Sequence, residues 1–254
     1  EGVLWLVGGC VRDELLGRPF ANDFDLVLEG DAQALVATLF ATGRTSPPVT
    51  YPRFGTAMLR LGNSDFEFVT ARAESYEKGP RKPEVTPGTL LDDARRRDFT
   101  ANSLMRNLHT GELRDLLGNG LSDLKGRILR TPLDPVVTMR DDPLRLLRAV
   151  RFRGQLDFAY ADNLRDALKS EASQLSQISA ERIRDEFSKM LVLPSASRCL
   201  REMMAFGFYD SFLPELNAMV EVEQGNFHHL DVWDHTLLVI DHAASSDLVV
   251  NLAC

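Results

Sequence analysis

The chain of 254 residues carries a net charge of −8, which argues against an indiscriminate nucleic-acid coat but leaves room for a local basic groove. Its 44% apolar and 26% charged content is ordinary for a globular protein of about one to three domains. No apolar run approaches the ~20 residues that span a bilayer. Cys10, Cys199 and Cys254 fit neither a disulfide framework nor a zinc site, which points to a reducing, cytoplasmic setting. The chain opens Glu1-Gly2, without Met or a signal peptide, so its true start is expected upstream.

Residues 3–7, VLWLV, predict a buried strand stopped by Gly8-Gly9. A short helix over 10–16 follows, ended by Gly17 and Pro19. Residues 24–28 read as a second strand. Gly30-Asp31 then precedes the helical pattern ALVATLF. Residues 57–61 and 66–69 predict a hairpin turning at Gly62-Asn63. Residues 74–90, rich in Pro, Gly, Lys and Glu, read as a mobile surface loop. Compact structure returns over 98–108 and 112–130, with a turn at Gly118-Asn119-Gly120. Beyond Pro132 the periodicity is helical, with no strand expected over 141–253. The fold class is therefore α+β, with a small mixed sheet first and an all-helical remainder.

Asp23 and Asp25 raise a chemical question, because ionised carboxylates on an apolar strand are costly to desolvate without a partner. At this spacing they share one face, while Phe24, Leu26 and Leu28 face the core. A hard divalent cation such as Mg²⁺ would join them, and Glu67 in DFEFV could add a third carboxylate from a neighbouring strand. Carboxylates around two metals suit in-line nucleotidyl transfer. Gly8 and Gly9 would let backbone amides approach a phosphate, and Arg12 could clasp the same triphosphate. Taken alone, Asp-x-Asp also fits solvated residues of an edge strand, and Gly-Gly a simple turn.

The segment GGCVRDELLG followed by NDFDLV resembles the nucleotidyltransferase head shared by class II tRNA nucleotidyltransferases (CCA-adding enzymes) and bacterial poly(A) polymerases. Further segments match in order: RRDFT with Asn102-Ser103, DLLGNGLSDLKGRILR, DDPLRLLRAVRF and ERIRDEF. The resemblance covers roughly residues 3–200. It implies a head over 1–130, a helical neck over 131–215 that holds the base, and the beginning of an HD-like domain over 216–254. It also implies that Asp23 and Asp25 bind catalytic magnesium, that Gly9 and Arg12 hold the nucleotide, and that Arg97 and Asp98 contact phosphate and ribose. Two positions depart from the family pattern: Asp141-Asp142 stands where Glu-Asp is usual, and Asn102-Ser103 where Asn-Ala is usual.

Asp142 and Arg145, three apart, would share a helical face. A carboxylate accepts and a guanidinium donates, so the pair can imitate a base-pairing edge for C or A. Uracil and guanine would set a carbonyl against the carboxylate. Arg148 and Arg151 would continue that face towards the triphosphate. An ordinary amphipathic helix with exposed arginines is the alternative. Arg182 and Glu186, at i and i+4, suggest a structural ion pair. Four of the five histidines crowd into 228–242. His228, His229, His235 and His242 resemble the opening of an HD domain, without the later His-Asp pair, and a packed core histidine fits His235 equally.

The implied function is a template-independent RNA nucleotidyltransferase, with the tRNA 3′ end and CTP or ATP as partners. Poly(A) polymerase, an HD-type phosphohydrolase with a nucleotide-binding head, and a non-catalytic RNA-binding protein are the alternatives.

Overall fold

A computed structural model describes residues 2–19, 22–75, 84–223, 229–243 and 245–254. The chain forms two compact units, Glu1–Leu133 and Asp134–Cys254.

The first unit contains strands β1 (Leu4–Val7), β2 (Asp23–Leu28), β3 (Val49–Tyr51), β4 (Thr56–Leu61), β5 (Ser64–Thr70), β6 (Arg72–Ser75), β7 (Glu84–Pro87), β8 (Met105–Asn107), β9 (Leu113–Arg114) and β10 (Ile128–Leu129). Its helices are α1 (Gly9–Leu15), α2 (Ala32–Ala41), α3 (Leu90–Arg95) and α4 (Gly120–Gly126). Seven strands make one sheet in the order β3-β4-β5-β2-β1-β8-β9. It is a mixed sheet: β2 and β5 run parallel, and the other described pairs in it run antiparallel. A parallel pair needs a long crossover. Here α2, β3 and β4 provide it, with Asp31 capping α2 through the amides of Gln33 and Ala34.

The expected hairpin forms, with Leu61 opposite Ser64. On one face of the β2–β5 pair the rings of Phe24 and Phe66 stack at 5.0 Å, and Leu26 and Leu28 are buried. The opposite face is covered too. There Val27 packs with Trp5, Val7, Leu90, Ala94 and Met105 in one cluster. Burial on both sides explains why β2 reads as a continuous apolar run after Asp25.

The expected loop over 74–90 is corrected in part. β6 and β7 pair antiparallel from Arg72–Pro87 to Ser75–Glu84, and α3 begins at Leu90 behind a capping box formed by Thr89 and Asp92. Residues 76–83 lie outside the described residues. The polar composition had concealed a strand whose backbone bonds do not depend on apolar side chains.

The second unit consists of α5 (Pro135–Asp141), α6 (Leu144–Leu156), α7 (Asp162–Ser170), α8 (Ala180–Leu191), α9 (Ala196–Phe206), α10 (Val232–Ala243) and α11 (Leu248–Ala253), with short 3₁₀ turns between them. Its core includes Leu146, Leu147, Val150, Leu164, Leu168, Met190 and Met203. One expectation fails. Ala159–Tyr160 is a short strand, β11, too brief to leave a two-residue periodicity in the sequence. Among the described residues no helix is long and apolar enough to cross a membrane.

Leu147 is fully buried on α6. Leu147→Ala should lower the stability of the second unit by about 2–5 kcal/mol, read as an earlier urea midpoint.

Candidate functional site

The register between β2 and β5 sets Asp25 opposite Glu67 and Asp23 opposite Asp65. In-register neighbours on parallel strands share a face, with strands about 4.8 Å apart. Four carboxylates therefore line one face at the open end of the sheet. Asp65 is neutralised by Arg60, whose Nε and Nη2 donate to it at 2.7 and 2.9 Å. Glu67 is strained electrostatically. Burial pushes its pKa up, and the charges of Asp25 and Asp23 push it further, against smaller opposing effects of Arg72 and Arg96.

Among the described residues no three His, Cys, Asp or Glu side chains close around one point. Asp23, Asp25 and Glu67 thus form a row of donors rather than a finished coordination sphere. Their chemistry fits a hard divalent cation: all donors are carboxylate oxygens, and added positive charge would relieve the repulsion that lifts the Glu67 pKa.

Gly8 joins β1 to α1 with φ +74°, in the region that favours glycine. A Cβ there would lie 2.9 Å from Asp25 Oδ2 and 3.5 Å from Arg97 Nη1. The backbone thus passes directly beside the candidate metal ligand. Gly9 opens α1, and a Cβ on it would meet the Arg12 guanidinium at 3.5 Å. Cys10 donates its thiol hydrogen to the Asp23 carbonyl at 2.9 Å. Burial, then the charges of Asp25 and Asp23, pushes its pKa up to about 11, so it stays a thiol.

The arginines named from the sequence are anchored rather than waving in solvent. Arg12, only 4% exposed, donates through Nε and Nη2 to Asp13 at 2.8 Å each, and through Nη1 to Asn102 Oδ1 at 2.7 Å. Asn102 Nδ2 in turn donates to Asp98 Oδ1 at 2.9 Å, and Asp98 also accepts from the Phe99 amide. Asn102 thereby links Arg12 to Asp98. Arg97 donates to Asp93 Oδ2 from Nε at 3.1 Å and Nη2 at 2.9 Å. Burial works against the Arg97 charge, but Asp93 and Asp25 outweigh it and hold the guanidinium protonated.

Sequence reasoning passed over Asp93, which grips Arg96 and Arg97 together. The signal was present in its i+3 and i+4 spacing to those arginines. Asp123, in the matched segment 115–130, was not singled out either. It is buried and accepts from Thr100 Oγ1 at 2.8 Å and from Arg130 Nε at 3.1 Å.

In the second unit the structure revises several expectations. Asp142 does not share a helical face with Arg145. It stands in extended conformation between α5 and α6, because the following Pro143 disfavours helix at the preceding residue. Its backbone carbonyl still accepts from the Arg145 amide at 2.9 Å. The Arg145 side chain is buried and donates to the Thr138 carbonyl at 3.2 Å. Arg182 pairs with Asp142 instead of Glu186, with Nη2 at 3.2 and 2.9 Å from the two carboxylate oxygens. Glu186 pairs with Arg151, whose Nη1 also donates to Gln155 at 2.9 Å. Both ion pairs join α8 to what precedes it, which displaces the expected i, i+4 pair. The Arg148 guanidinium lies 5.2 Å from the Phe152 ring centroid. His235 and His242 lie on α10, where His242 Nδ1 is 2.8 Å from the Leu238 carbonyl. His229 is exposed, and His228 lies outside the described residues.

Residues 4–130 match the family described as the Poly A polymerase head domain, half of the chain. The chain belongs to the tRNA nucleotidyltransferase and poly(A) polymerase family. Members of this nucleotidyltransferase family typically use divalent metal. Residues 157–220 match a second family description, a probable RNA and SrmB-binding site of polymerase A. Among curated relatives, tRNA nucleotidyltransferase cca2 of Schizosaccharomyces pombe is 34% identical over 86% of this chain and 49% of its own length. The A-adding tRNA nucleotidyltransferase of Aquifex aeolicus is 36% identical over 86% of this chain and 28% of its own. The chain therefore spans half or less of these relatives. A solved tRNA nucleotidyltransferase, complexed with a primer tRNA and an incoming ATP analog, superposes with a TM-score of 0.72 at 30% identity. It covers 93% of this chain and 63% of that one. The Bacillus stearothermophilus CCA-adding enzyme in complex with CTP gives 0.73 at 28% identity, over 86% of this chain and 52% of that one.

Two outcomes test this geometry. Gly8→Ala forces a Cβ against Asp25 at a positive φ and should lower stability by about 1–3 kcal/mol, read by thermal melting. The Glu67 pKa is raised on folding, so its contribution to stability is complete below the unfolded-state pKa and lost as pH rises through the folded-state one. Glu67→Gln should flatten that decline in metal-free melts, and an unchanged pH profile would contradict it.

Proposed function

We propose that the chain is the catalytic and base-selecting portion of a template-independent RNA nucleotidyltransferase that adds C, A or both to the 3′ end of tRNA. We divide it into a catalytic head over 1–130, a neck over 131–215 and the start of an HD-like domain over 216–254. The observation that carries the reading is the Asp25–Glu67 register, which sets two carboxylates side by side and raises the Glu67 pKa, an arrangement that a bound divalent cation would stabilise.

Asp23 and Asp25, with Glu67 beside them, would hold Mg²⁺, which supplies activation of the terminal 3′-hydroxyl and charge neutralisation at the triphosphate. Gly8 and Gly9 keep the backbone bare so that phosphate oxygens can come close. Arg12, fixed by Asp13 and Asn102, and Arg97, fixed by Asp93, present donors to phosphate with little freedom left to lose. Asp98 accepts from a ribose hydroxyl. In the neck, Asp142 would accept from the exocyclic amine of cytosine or adenine, while the buried Arg145 braces the turn before it through the Thr138 carbonyl. Arg182 steadies the Asp142 carboxylate for that role. Arg148, beside the Phe152 ring, and Arg151, held by Glu186, keep positive charge on α6. Three widely spaced cysteines, which suit no disulfide framework, support a reducing, cytoplasmic setting.

Poly(A) polymerase is the second reading, favoured by the description of both matched families. Supplying the protein with tRNA lacking its 3′ end, or with unstructured RNA, separates them: a ladder that stops within three nucleotides on tRNA supports the first, and a long adenosine tract supports the second.

Asp23→Ala and Asp25→Ala should each abolish incorporation while leaving the circular dichroism spectrum in place; turnover by either variant refutes the carboxylate assignment. Asp142→Asn replaces an acceptor by a group that can also donate. Discrimination of CTP over UTP should fall about tenfold, the worth of one hydrogen bond, as measured by competing kcat/KM values.

A further inference from the structure

In the sheet, β2 stands between β1 and β5. The turn from β1 into α1 sets Gly8 beside Asp25 and Gly9 beside Arg12, and this is the proposed seat of the triphosphate. In an in-line displacement the attacking oxygen and the departing pyrophosphate lie on opposite sides of the phosphorus. The attacking strand therefore belongs on the β5 side of Asp25, where the same face continues over β4 and β3.

That stretch of face is in register with the carboxylates. Glu67 stands opposite Met58, and Met58 opposite Val49. In the next row of the same face, Val69 stands opposite Thr56, and Thr56 opposite Tyr51. Neighbouring strands lie about 4.8 Å apart, which puts Val49 about 10 Å from Glu67. A terminal ribose held at the carboxylates would thus lay its base over β4 and β3. Met58 is half-buried, whereas Val49 and Tyr51, on the edge strand, are 55% and 47% exposed. An apolar edge left open is a liability for a chain that makes no use of it. At the Tyr51 end, the Arg53 and Arg72 guanidiniums lie 5.7 and 6.0 Å from the Phe54 ring centroid, and Arg72 Nη1 donates to Thr56 Oγ1 at 3.3 Å. An exposed ring, an apolar floor and neighbouring guanidiniums are what holds single-stranded nucleic acid: the ring stacks on a base, and the cations attract phosphates.

We propose that Val49, Tyr51 and Met58 form a shelf on which the last base of the RNA being extended stacks, delivering its 3′-hydroxyl to the Asp25–Glu67 pair. The inference rests on the proposed nucleotidyltransferase reading and names the surface that takes its RNA substrate. Tyr51 supplies the stacking ring, and Arg53 and Arg72 supply charge for the phosphodiesters behind it.

The test uses the full chain with CTP, ATP and a tRNA lacking its 3′ end. Tyr51→Ala should raise the KM for tRNA about tenfold, the scale of one stacked base, and leave the KM for CTP and ATP within about twofold of wild type. Tyr51→Phe keeps the ring and should keep the wild-type KM. A merely structural Tyr51 would shift the melting temperature and all the KM values together. The same tRNA with 5-iodocytidine as its last base, which cross-links to aromatic rings stacked on it when irradiated, should label the peptide that contains Tyr51. An unchanged KM for tRNA in folded Tyr51→Ala overturns the inference, as does a rise confined to CTP and ATP, or a cross-link that maps away from β3. Where Tyr51→Ala fails to fold, Val49→Asp decides, because it sets a carboxylate against the strand: a raised KM for tRNA alone supports the shelf, and an unchanged one overturns it. If the wild-type protein extends no RNA, the nucleotidyltransferase reading falls and the inference falls with it. If it extends tRNA and the Tyr51→Ala variant does so with the wild-type KM, only the inference falls.

Discussion

Like charge held on neighbouring strands is the constraint around which the first unit is organised. Asp25 and Glu67 are forced into adjacency by backbone pairing, not by any attraction between their side chains. Apolar packing supplies what they oppose. The stacked Phe24 and Phe66 rings fix one face, and the cluster around Trp5 and Val27 fixes the other. The carboxylates occupy the stretch where that packing ends, so the core clamps the strands and leaves the chemistry at their open end. Repulsion tolerated within a well-packed frame is a usual mark of a functional centre.

The arginines around that centre are restrained by a second layer of acids and amides. Asp13 and Asn102 fix Arg12, and Asp93 fixes Arg97. Such bonds cost flexibility in the resting protein and remove an entropic penalty when an anion arrives. The second unit follows the same rule, since Arg182 orients Asp142 and Glu186 holds Arg151. Its acids and bases are also its cross-braces, which tie α6 and the turn before it to α8.

Much of this was legible in the sequence. Asp23 and Asp25 share a face because strand periodicity is two, and the hairpin pattern around Gly62-Asn63 put Glu67 on a candidate neighbouring strand. The hairpin at Gly62-Asn63 declared itself through turn chemistry. What escaped has physical reasons. Strand β7 lies in a polar, proline-rich stretch, where composition speaks against a strand that backbone bonding nevertheless forms. Asp142 was placed on a continuous helix although Pro143 signals a break there. The partner of Arg182 lies far away in sequence, so local spacing suggested Glu186. Asp93 looked like one acid among several, and only its burial reveals that it serves two cations.

The pairing of β2 with β5 has a further consequence for how errors in assembly are exposed. A slip of one residue would turn every side chain of a strand to the opposite face. It would drive acids into the interior and separate the two phenylalanines. No slipped form can therefore keep a sound interior while losing its chemical centre. A chain misassembled in this way would present greasy surface and fall to cellular surveillance, rather than persist as a well-folded but idle competitor for substrate.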